Sequence, residues 1–409
     1  MLRAWQAQTQ ETALFPEEEI VDAHIHLWDA NTERERPLKD LASVRSKLGN
    51  ALTHAALRSG MPGREPLGFA RMHIGHRRGL DSFLSAYLAP DHLENVRTSG
   101  HNVVASIYLE CGWAGGAAAE VAHQAAAFQR HGLPSAVVGE IIIQEGAEKA
   151  AATVDACVAA IETVSSSSSA APLPERLLVG FRTMLQSPEP SRYFNGGDPR
   201  PCDSPAAIAA CQLLGERGLV LDVGAFHTQL PQLRRLAAAC PDTTIVLNHL
   251  GFPVNIGQEL ARLDSPAVRS GGVFECWRAD MKLLATECPN VMVKLSGIGM
   301  PIFGFGFPHA NGKPPDSATL ASACAPLVSF VIEAFGVDRC MCASNFPPDG
   351  VSCSYGCLWN ALKRLVEGYG PDARRKLLRD NALATYRLRL PPAAAKEERG
   401  AQESQPELI

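Results

Sequence analysis

The chain has no long apolar run and no strong excess of either charge, and both absences narrow the choice of partners. None of its apolar stretches approaches the roughly 20 residues of a membrane-spanning helix, so we expect no membrane partner. The formal net charge of −5 at pH 7 provides no basic surface for nucleic acid. Residues 1–19 lack the basic and then apolar pattern of a secretion signal, which favours a cytoplasmic protein.

The sequence also contains no Cys-x-x-Cys pair, although it has 12 cysteines. These are scattered through apolar segments, and without a secretion signal this distribution predicts buried reduced thiols rather than a disulfide framework. Cys340 and Cys342 are either a soft metal pair or two side chains of a buried strand. We favour the strand, because both residues lie in a predicted strand.

Apolar runs typical of buried strands alternate with helical patterns along most of the chain. The eight runs cover residues 19–23, 102–110, 136–143, 177–183, 219–223, 243–248, 290–295 and 339–343. The helical patterns between them cover residues 117–129, 147–164, 205–217, 230–239, 276–287, 318–335 and 358–379. Strands that alternate with helices and lack hairpin turns pair in parallel through right-handed crossovers. Eight such units predict the α/β class and a (β/α)8 TIM barrel rather than an open sheet.

One barrel at residues 20–390 accounts for most of the chain, between an N-terminal extension at 1–19 and a disordered tail at 391–409. The connection at 32–99 is too long for an ordinary loop and predicts a cap insertion over the mouth of the barrel. Residues 165–174 are rich in serine and alanine, and we interpret them as a flexible spacer at the opposite end. The glycine-rich stretch 297–315 follows the seventh strand, which makes Phe303 and Phe305 candidates for the wall of a substrate pocket.

His24 and His26 come directly after the first predicted apolar run and continue its strand, within the sequence Asp-Ala-His-Ile-His. Residues two apart in a strand point to the same side, so the two imidazoles aim at one point. Such a pair can bind a metal, or it can hold a carbonyl oxygen as two hydrogen-bond donors. The alternative is a purely structural pair at the barrel rim. We favour a functional role, because the strand is otherwise apolar.

Further polar side chains follow the other predicted strands. In barrels of this kind the active site forms at the carboxyl ends of the strands. The side chains at this edge are Glu110, Arg182, His227, His249, Lys294 and Asn345. Because the strand interiors are almost wholly apolar, packing alone does not explain this gathering, and we predict a functional site there.

Several of these residues have a structural alternative. His227 lies several residues beyond its strand, where it either enters the site or caps the next helix. Lys294 either binds substrate or is a salt-bridged strand residue. Glu110 either binds substrate or is the ion-pair partner of Arg182, whose planar fork also matches a substrate carboxylate.

The sequence resembles the amidohydrolase superfamily, and within it the lactonase-like amidohydrolase-related (amidohydrolase 2) branch. The matching segments are residues 21–28, 221–230, 240–251, 288–297, 344–349 and 381–386. The resemblance spans roughly residues 20–388, is most specific after residue 219, and is weakest across the cap. It implies a TIM barrel, in agreement with the count of strands.

The resemblance also implies a choice of chemistries, because the family includes hydrolases of sugar lactones and pyrone dicarboxylate lactones as well as metal-dependent decarboxylases of aromatic acids. Metal-binding members use positions that correspond here to His24, His26, His227, His249 and Asn345. The last position is an aspartate in those members. A neutral amide cannot accept a proton as a carboxylate does, and it is a poorer ligand for a divalent cation. The Ser-Asn-Phe-Pro setting of Asn345 resembles a recognisable subgroup.

The first hypothesis is a hydrolase that opens a small carboxylated or polyhydroxylated lactone with little or no dependence on metal. His24, His26 and His249 polarise the carbonyl group. Arg182 holds a substrate anion. The partner in this hypothesis is a small-molecule substrate.

The base in this hypothesis is left open, because Asn345 orients water and does not deprotonate it. The candidates are His227, Glu110 and Asp349. We place His227 first, because a neutral imidazole has a pKa close to working pH.

The second hypothesis is a hydrolase or decarboxylase that holds zinc or manganese on His24, His26 and His249. The third is a binding protein on a degenerate barrel, which Asn345 supports and the retained histidines oppose. Members of the family are often dimers or higher oligomers, which allows a homo-oligomer here.

Overall fold

The computed structural model describes residues 2–29, 85–113, 115–167, 172–185, 201–260, 272–307 and 312–390. Most of the predicted cap, part of the serine-rich spacer and the tail at 391–409 lie outside these residues. The barrel strands and the polar side chains at their carboxyl ends lie within them.

Eight parallel strands form one sheet in chain order, as the alternation of apolar runs predicts. They are β1 Glu19–Ile25, β2 Asn102–Leu109, β3 Ala136–Glu140, β4 Leu178–Met184, β5 Val220–Gly224, β6 Ile245–Leu247, β7 Val291–Leu295 and β8 Cys340–Cys342. A parallel bridge between Ile25 and Phe346 joins the ends of the sheet into a nearly closed barrel. The predicted (β/α)8 architecture is therefore confirmed.

Helices connect successive strands and cover the outside of the barrel. They are α1 Leu2–Gln6, α2 Ala89–Ser99, α3 Gly116–His131, α4 Ala147–Ser167, α5 Pro205–Glu216, α6 Leu230–Ala239, α7 Ile256–Leu260, α8 Val273–Glu287, α9 Ser317–Phe335, α10 Tyr355–Val366, α11 Pro371–Arg375 and α12 Asn381–Tyr386. The prediction of one helix over 358–379 is wrong, because Gly370 adopts a φ of +83° and Pro371 starts a new helix. The helices α10 and α11 and a π-helical turn at Lys376–Asp380 take its place.

A compact apolar cluster lies beneath the polar edge of the barrel. It contains strand residues such as Val220 and Val246, and Tyr386 of α12 belongs to it. Two residues further along the same strands come Asp222 and Asn248, which the period of a strand places on the same side. The interior therefore changes from apolar to polar toward the carboxyl ends of the strands.

Of the described helices, α9 alone is long and apolar enough to cross a membrane by composition. Its Leu320, Leu327 and Val331 are fully buried, and it packs against β7 and β8. These contacts identify α9 as a core helix of the barrel.

Ten of the twelve cysteines are buried, as the sequence predicts, whereas Cys111 is half-buried and Cys276 is exposed. Cys340 and Cys342 lie in β8, as predicted. Burial raises the pKa of the Cys342 thiol to about 12, which leaves it protonated and a poor metal ligand.

Residues 2–18 pack against the other end of the chain. The Trp5 indole donates to the carbonyl of Gly312 at 2.6 Å, and the Thr9 hydroxyl donates to that of Pro314 at 2.8 Å. The Glu11 carboxylate accepts from the backbone of Ser317, at the start of α9, at 2.7 Å. The N-terminal segment is thus fastened to a region about 300 residues away in sequence.

Candidate active site

His24 and His26 of the β1 edge are both buried and face each other. Their Nε2 atoms are 3.0 Å apart, and the Nδ1 atom of His26 lies 2.9 Å from the carbonyl oxygen of Leu109. Burial, followed by the nearby positive groups, holds the pKa of His24 well below its usual value. His24 is therefore a neutral imidazole at neutral pH.

His249 brings a third imidazole to this point from the end of β6. Its ring centroid is 4.4 Å from that of His24, and its Nδ1 atom lies 2.8 Å from the hydroxyl of Ser296. His249 adopts a φ of +50°, which non-glycine residues rarely do. Gly297 makes room for it, because a Cβ atom there would lie 2.8 Å from the Cβ of His249.

Arg182 and Glu110 form a buried ion pair beside the histidines. The Arg182 Nε donates to a Glu110 carboxylate oxygen at 2.7 Å, and Nη2 donates to the Glu110 carbonyl at 2.6 Å. Burial opposes the charge of Arg182, but the charge and hydrogen bonds of Glu110 raise its pKa. The ion pair between Glu110 and Arg182 that the sequence allowed therefore forms, and it uses the Nε and Nη2 donors of Arg182.

Lys294 and Asp222 form a second ion pair, with both side chains fully buried. The Lys294 Nζ donates to Asp222 at 2.7 Å, and the Asp222 carboxylate also accepts from Asn248 and from the Tyr386 hydroxyl, each at 2.7 Å. The Nζ atom lies 3.5 Å from Nδ1 of His24. Burial lowers the pKa of Lys294 to about 8. Lys294 is thus the salt-bridged residue that sequence allowed, and it lies beneath His24.

Asn345 follows β8 and contacts both His24 and Asp349. Its backbone N–H donates to the carbonyl of His24 at 2.8 Å, and its side-chain amide donates to the Asp349 carboxyl group at 2.5 Å. The amide of Gly299 donates to the other Asp349 oxygen at 2.5 Å. Burial raises the pKa of Asp349 to about 8. A carboxyl group therefore lies four residues beyond the position that the resemblance assigns to it.

His227 lies in the turn His227–Gln229 after β5 and is half-buried. Its Nδ1 atom is 3.3 Å from the carbonyl oxygen of Phe252, and the Phe252 ring contacts the ring of His249 at 4.9 Å. Burial lowers the pKa of His227, while the charges of Asp280 and Glu259 oppose that shift. His227 is thus linked to the other histidines through Phe252 and interacts electrostatically with the outer helices α7 and α8.

The phenylalanines of the glycine-rich stretch form a stack. Phe303 is fully buried in the core, and its ring centroid is 6.5 Å from that of Phe305. Phe305 is half-buried and stacks in turn on Phe307 at 5.5 Å. Phe303 therefore has the surroundings of a core residue, and Phe305 is the more accessible of the two predicted pocket residues.

Sequence reasoning missed four buried partners of these residues, namely Asp22, Asp222, Ser296 and Tyr386. Asp22 could have been predicted from the sequence, because it lies two residues before His24 in the same strand and so points to the same side. Burial raises its pKa to about 6, and its carboxyl group accepts from the Ser344 amide at 2.9 Å. Tyr386 carried no local signal, since its partner Asp222 is far away in sequence.

The described residues fit a divalent metal poorly. Two histidine nitrogens on one zinc ion, each at roughly 2.0–2.1 Å, would be about 3 Å apart, which the His24–His26 separation of 3.0 Å allows. The Arg182 guanidinium, however, lies 3.5 Å from the same His24 nitrogen, and Asn345 replaces the expected carboxylate. Nowhere in the described part do three His, Cys, Asp or Glu side chains form a metal-binding group.

Known structures share this fold. An amidohydrolase from Burkholderia multivorans, solved with bound HEPES, has 20% identity and a TM-score of 0.61, with 90% of this chain and 99% of that chain covered. A second crystal form of it contains bound zinc and gives a TM-score of 0.60. A putative 2-pyrone-4,6-dicarboxylic acid hydrolase from Pseudomonas putida has 17% identity and a TM-score of 0.52, with 91% and 98% covered.

The sequence comparisons assign the family. The uncharacterized protein y4mH of Sinorhizobium fredii is 32% identical over 209 residues, which are 51% of this chain and 57% of that protein. This chain thus spans little more than half of that relative. The model of the amidohydrolase family matches residues 21–388, which include all eight described strands except the first residues of β1. The chain belongs to the amidohydrolase family.

Proposed function

We propose that this protein is a hydrolase that opens a small neutral, polyhydroxylated lactone by attack of water, without a metal ion. The observation that carries the proposal is the convergence of His24, His26 and His249 at the carboxyl edge of the barrel. In their neutral form, imidazoles there offer both N–H donors and ring-nitrogen lone pairs to a carbonyl group and a water molecule. Hydrolysis of an ester needs both.

The reaction follows from these two functions. A histidine N–H donates to the lactone carbonyl oxygen and stabilises the negative charge that develops when water attacks the carbonyl carbon. The lone pair of the adjacent ring accepts the proton of the water. The bond from the carbonyl carbon to the ring oxygen then breaks, the proton passes to that oxygen, and the product is an open-chain hydroxy acid. The Nε2 atoms of His24 and His26 face each other at 3.0 Å, and in this reaction the pair exchanges that contact for the lactone carbonyl and the attacking water.

The charges of the site favour a neutral substrate. Among the described residues around the histidines, Arg182 and Lys294 are the cations, and each is already paired with a carboxylate at 2.7 Å. Among the described residues, a substrate carboxylate would lie near Glu110 without a free positive partner, which is costly in a buried site. Hydroxyl groups carry no such penalty, and they can use the remaining donors and acceptors.

The direct test is to incubate the protein with a panel of candidate substrates and to measure hydrolysis through the acid that it releases. The panel contains neutral sugar lactones, a carboxylated aromatic lactone and an aromatic carboxylic acid as a decarboxylation control. We expect turnover of at least one neutral sugar lactone and weaker turnover of the carboxylated compound. Decarboxylation, or preference for the carboxylated lactone, would refute the proposal.

A His24→Ala variant tests the role of the central imidazole. We expect kcat to fall by at least about a hundredfold, because one donor to the developing oxyanion is lost. An His131→Ala variant is the matched control, because His131 is an exposed histidine at the end of α3. Full activity in His24→Ala would rule out this assignment.

Metal analysis of the purified protein checks the metal-free mechanism. We expect substoichiometric zinc and manganese, and no loss of activity after treatment with a chelator. One tightly held equivalent whose removal abolishes activity would favour the metal-dependent hypothesis instead.

A further inference from the structure

We infer that Lys294 is a positioning residue that donates a hydrogen bond to Nδ1 of His24 and holds this imidazole with its proton on Nε2. His24 is then the hydrogen-bond donor of the histidine pair and His26 is the acceptor. The inference deepens the proposed function and rests on it only for the kinetic consequence. It follows from contacts at the two ends of one chain of hydrogen bonds.

The first end of this chain is the carbonyl group of Leu109. A carbonyl only accepts, so the Nδ1 atom of His26, at 2.9 Å, carries a proton. The Cys111 thiol lies 3.5 Å from the same nitrogen, but it has the carbonyls of Leu27 and Leu109 as acceptors at 3.7 Å. In a neutral His26 the other nitrogen, Nε2, is then an acceptor. The atom that faces it at 3.0 Å is Nε2 of His24, which must therefore be the donor.

The second end is the ammonium group of Lys294. Because Nε2 of His24 carries the proton, its Nδ1 atom is an acceptor, and Lys294 Nζ lies 3.5 Å from it. The other N–H groups of Lys294 face Asp222 at 2.7 Å and the ring of Tyr386, whose centroid is 5.2 Å away. The ammonium group thus lies among Asp222, the Tyr386 ring and His24.

Arg182 provides the competing contact, since its Nη1 lies 3.5 Å from Nε2 of His24 and only donates. If His24 accepted from Arg182, His26 would have to donate from both nitrogens and become an imidazolium. A charged His26 would be buried beside the Arg182 and Lys294 cations, which is unfavourable. The 3.0 Å contact to His26 therefore determines the position of the proton.

This arrangement separates the role of Lys294 from substrate binding. Lys294 and Asp222 are fully buried, and His24 lies between Lys294 and the rim. The contacts of Asp222 with Asn248 and Tyr386 keep the lysine in place. Lys294 therefore acts through His24 and does not touch the substrate.

The test is nuclear magnetic resonance of protein labelled with ¹⁵N-histidine, which distinguishes the two neutral tautomers. His24 is assigned from the signal that is lost in His24→Gln. At pH 7, we expect a proton on Nε2 of His24 and a hydrogen-bonded, unprotonated Nδ1. A wild-type His24 with its proton on Nδ1, or with two protons, would overturn the inference.

The variant is the double substitution Lys294→Met with Asp222→Asn, which removes both buried charges together and so limits the loss of stability. We expect the Nδ1 signal of His24 to move to that of a nitrogen without a hydrogen bond. On the best lactone, kcat is expected to fall ten- to a hundredfold with little change in KM. An unmoved Nδ1 signal, or an unchanged kcat in the presence of a moved signal, would contradict the positioning role.

Lys363→Met is the matched control. Lys363 is also a fully buried lysine, but it donates to the carbonyls of Leu14 and Phe15 at 2.8 and 2.7 Å, away from the histidines. It should leave the His24 signals unchanged even if it lowers stability. Because the spectroscopic result needs no substrate, it remains decisive even if no lactone is turned over.

Discussion

Single residues of the site adopt backbone conformations that side chains rarely tolerate. His249 and Asn345 have φ values of +50° and +51°, and Leu250 has +56°. Such conformations cost on the order of 1–3 kcal/mol each and persist only where the surroundings enforce them. Because these conformations occur together at the carboxyl ends of β6 and β8, we infer that they orient the side chains of the site at a cost in the stability of the fold.

Gly297 offers a sharp test at this scale. In Gly297→Ala, a methyl group is placed 2.8 Å from the Cβ of His249 on a backbone with φ +75°, whereas Gly336 has a φ of +80° and open space around its missing side chain. Gly336→Ala therefore measures backbone strain without a contact. Because Gly336 also has a ψ of 157°, in a region essentially restricted to glycine, this strain is on the order of 1–3 kcal/mol. We expect Gly297→Ala to lose a further ~1–3 kcal/mol in urea unfolding and at least tenfold in kcat, while Gly336→Ala keeps its kcat. Equal effects of the two variants would show that the contact with His249 is unimportant.

How far the site could be predicted depends on whether partners are near in sequence. His24 and His26 were found because a spacing of two in a strand fixes their common side. The pairing of Lys294 with Asp222 and Tyr386 depends on the closure of the barrel, so no local pattern contains it. The contact of Asn345 with Asp349 depends on a left-handed backbone at Asn345, which a sequence does not disclose.

Elements of secondary structure were predicted well where an apolar period continued without interruption. Helix α6 has the predicted limits, and β1 extends two residues beyond its prediction. The prediction of one helix over 358–379 is wrong because the apolar positions keep a helical period across Gly368 and Gly370, although the backbone turns there. Glycine and proline signals should outweigh periodicity in such a segment.

The start of α9 allows a test of an element boundary. The carboxylate of Asp316 accepts from the Thr319 amide at 2.8 Å and so caps the helix. We expect Asp316→Ala to lower the free energy of unfolding by about 1 kcal/mol, and Asp316→Asn, which can still cap, by only a few tenths. Urea denaturation measures both. Equal losses would mean that the negative charge, and not the cap, stabilises this end of the helix.

At the scale of the whole molecule, buried acids couple stability to pH. Burial raises the pKa of Asp349 from 3.8 to about 8 and that of Asp22 from 3.8 to about 6. Between pH 4 and these values the folded state retains protons that the unfolded state has released. The contribution of both residues to stability therefore decreases as pH rises through this range.

Asp349→Asn tests this coupling, because an amide does not titrate. We expect the loss of stability between pH 5 and pH 8 to be smaller in the variant than in the wild type, by roughly 1–3 kcal/mol in urea unfolding. Asp338→Asn, at an exposed carboxylate paired with Lys376, should leave the pH dependence unchanged. If Asp349→Asn keeps the full wild-type pH dependence, then Asp349 does not hold a proton in the folded state near neutral pH.

The anchoring of residues 2–18 has a consequence for synthesis of the chain. The partners of this segment, around Gly312, Pro314 and Ser317, are synthesised about 300 residues after the segment itself. The last strand, β8, which joins β1 through Ile25 and Phe346, is made later still. Throughout that time Trp5 and the edge of β1 are without their final partners, so the nascent chain exposes surfaces that invite aggregation. Production of this protein should therefore depend more on chaperones than its compact final core would suggest.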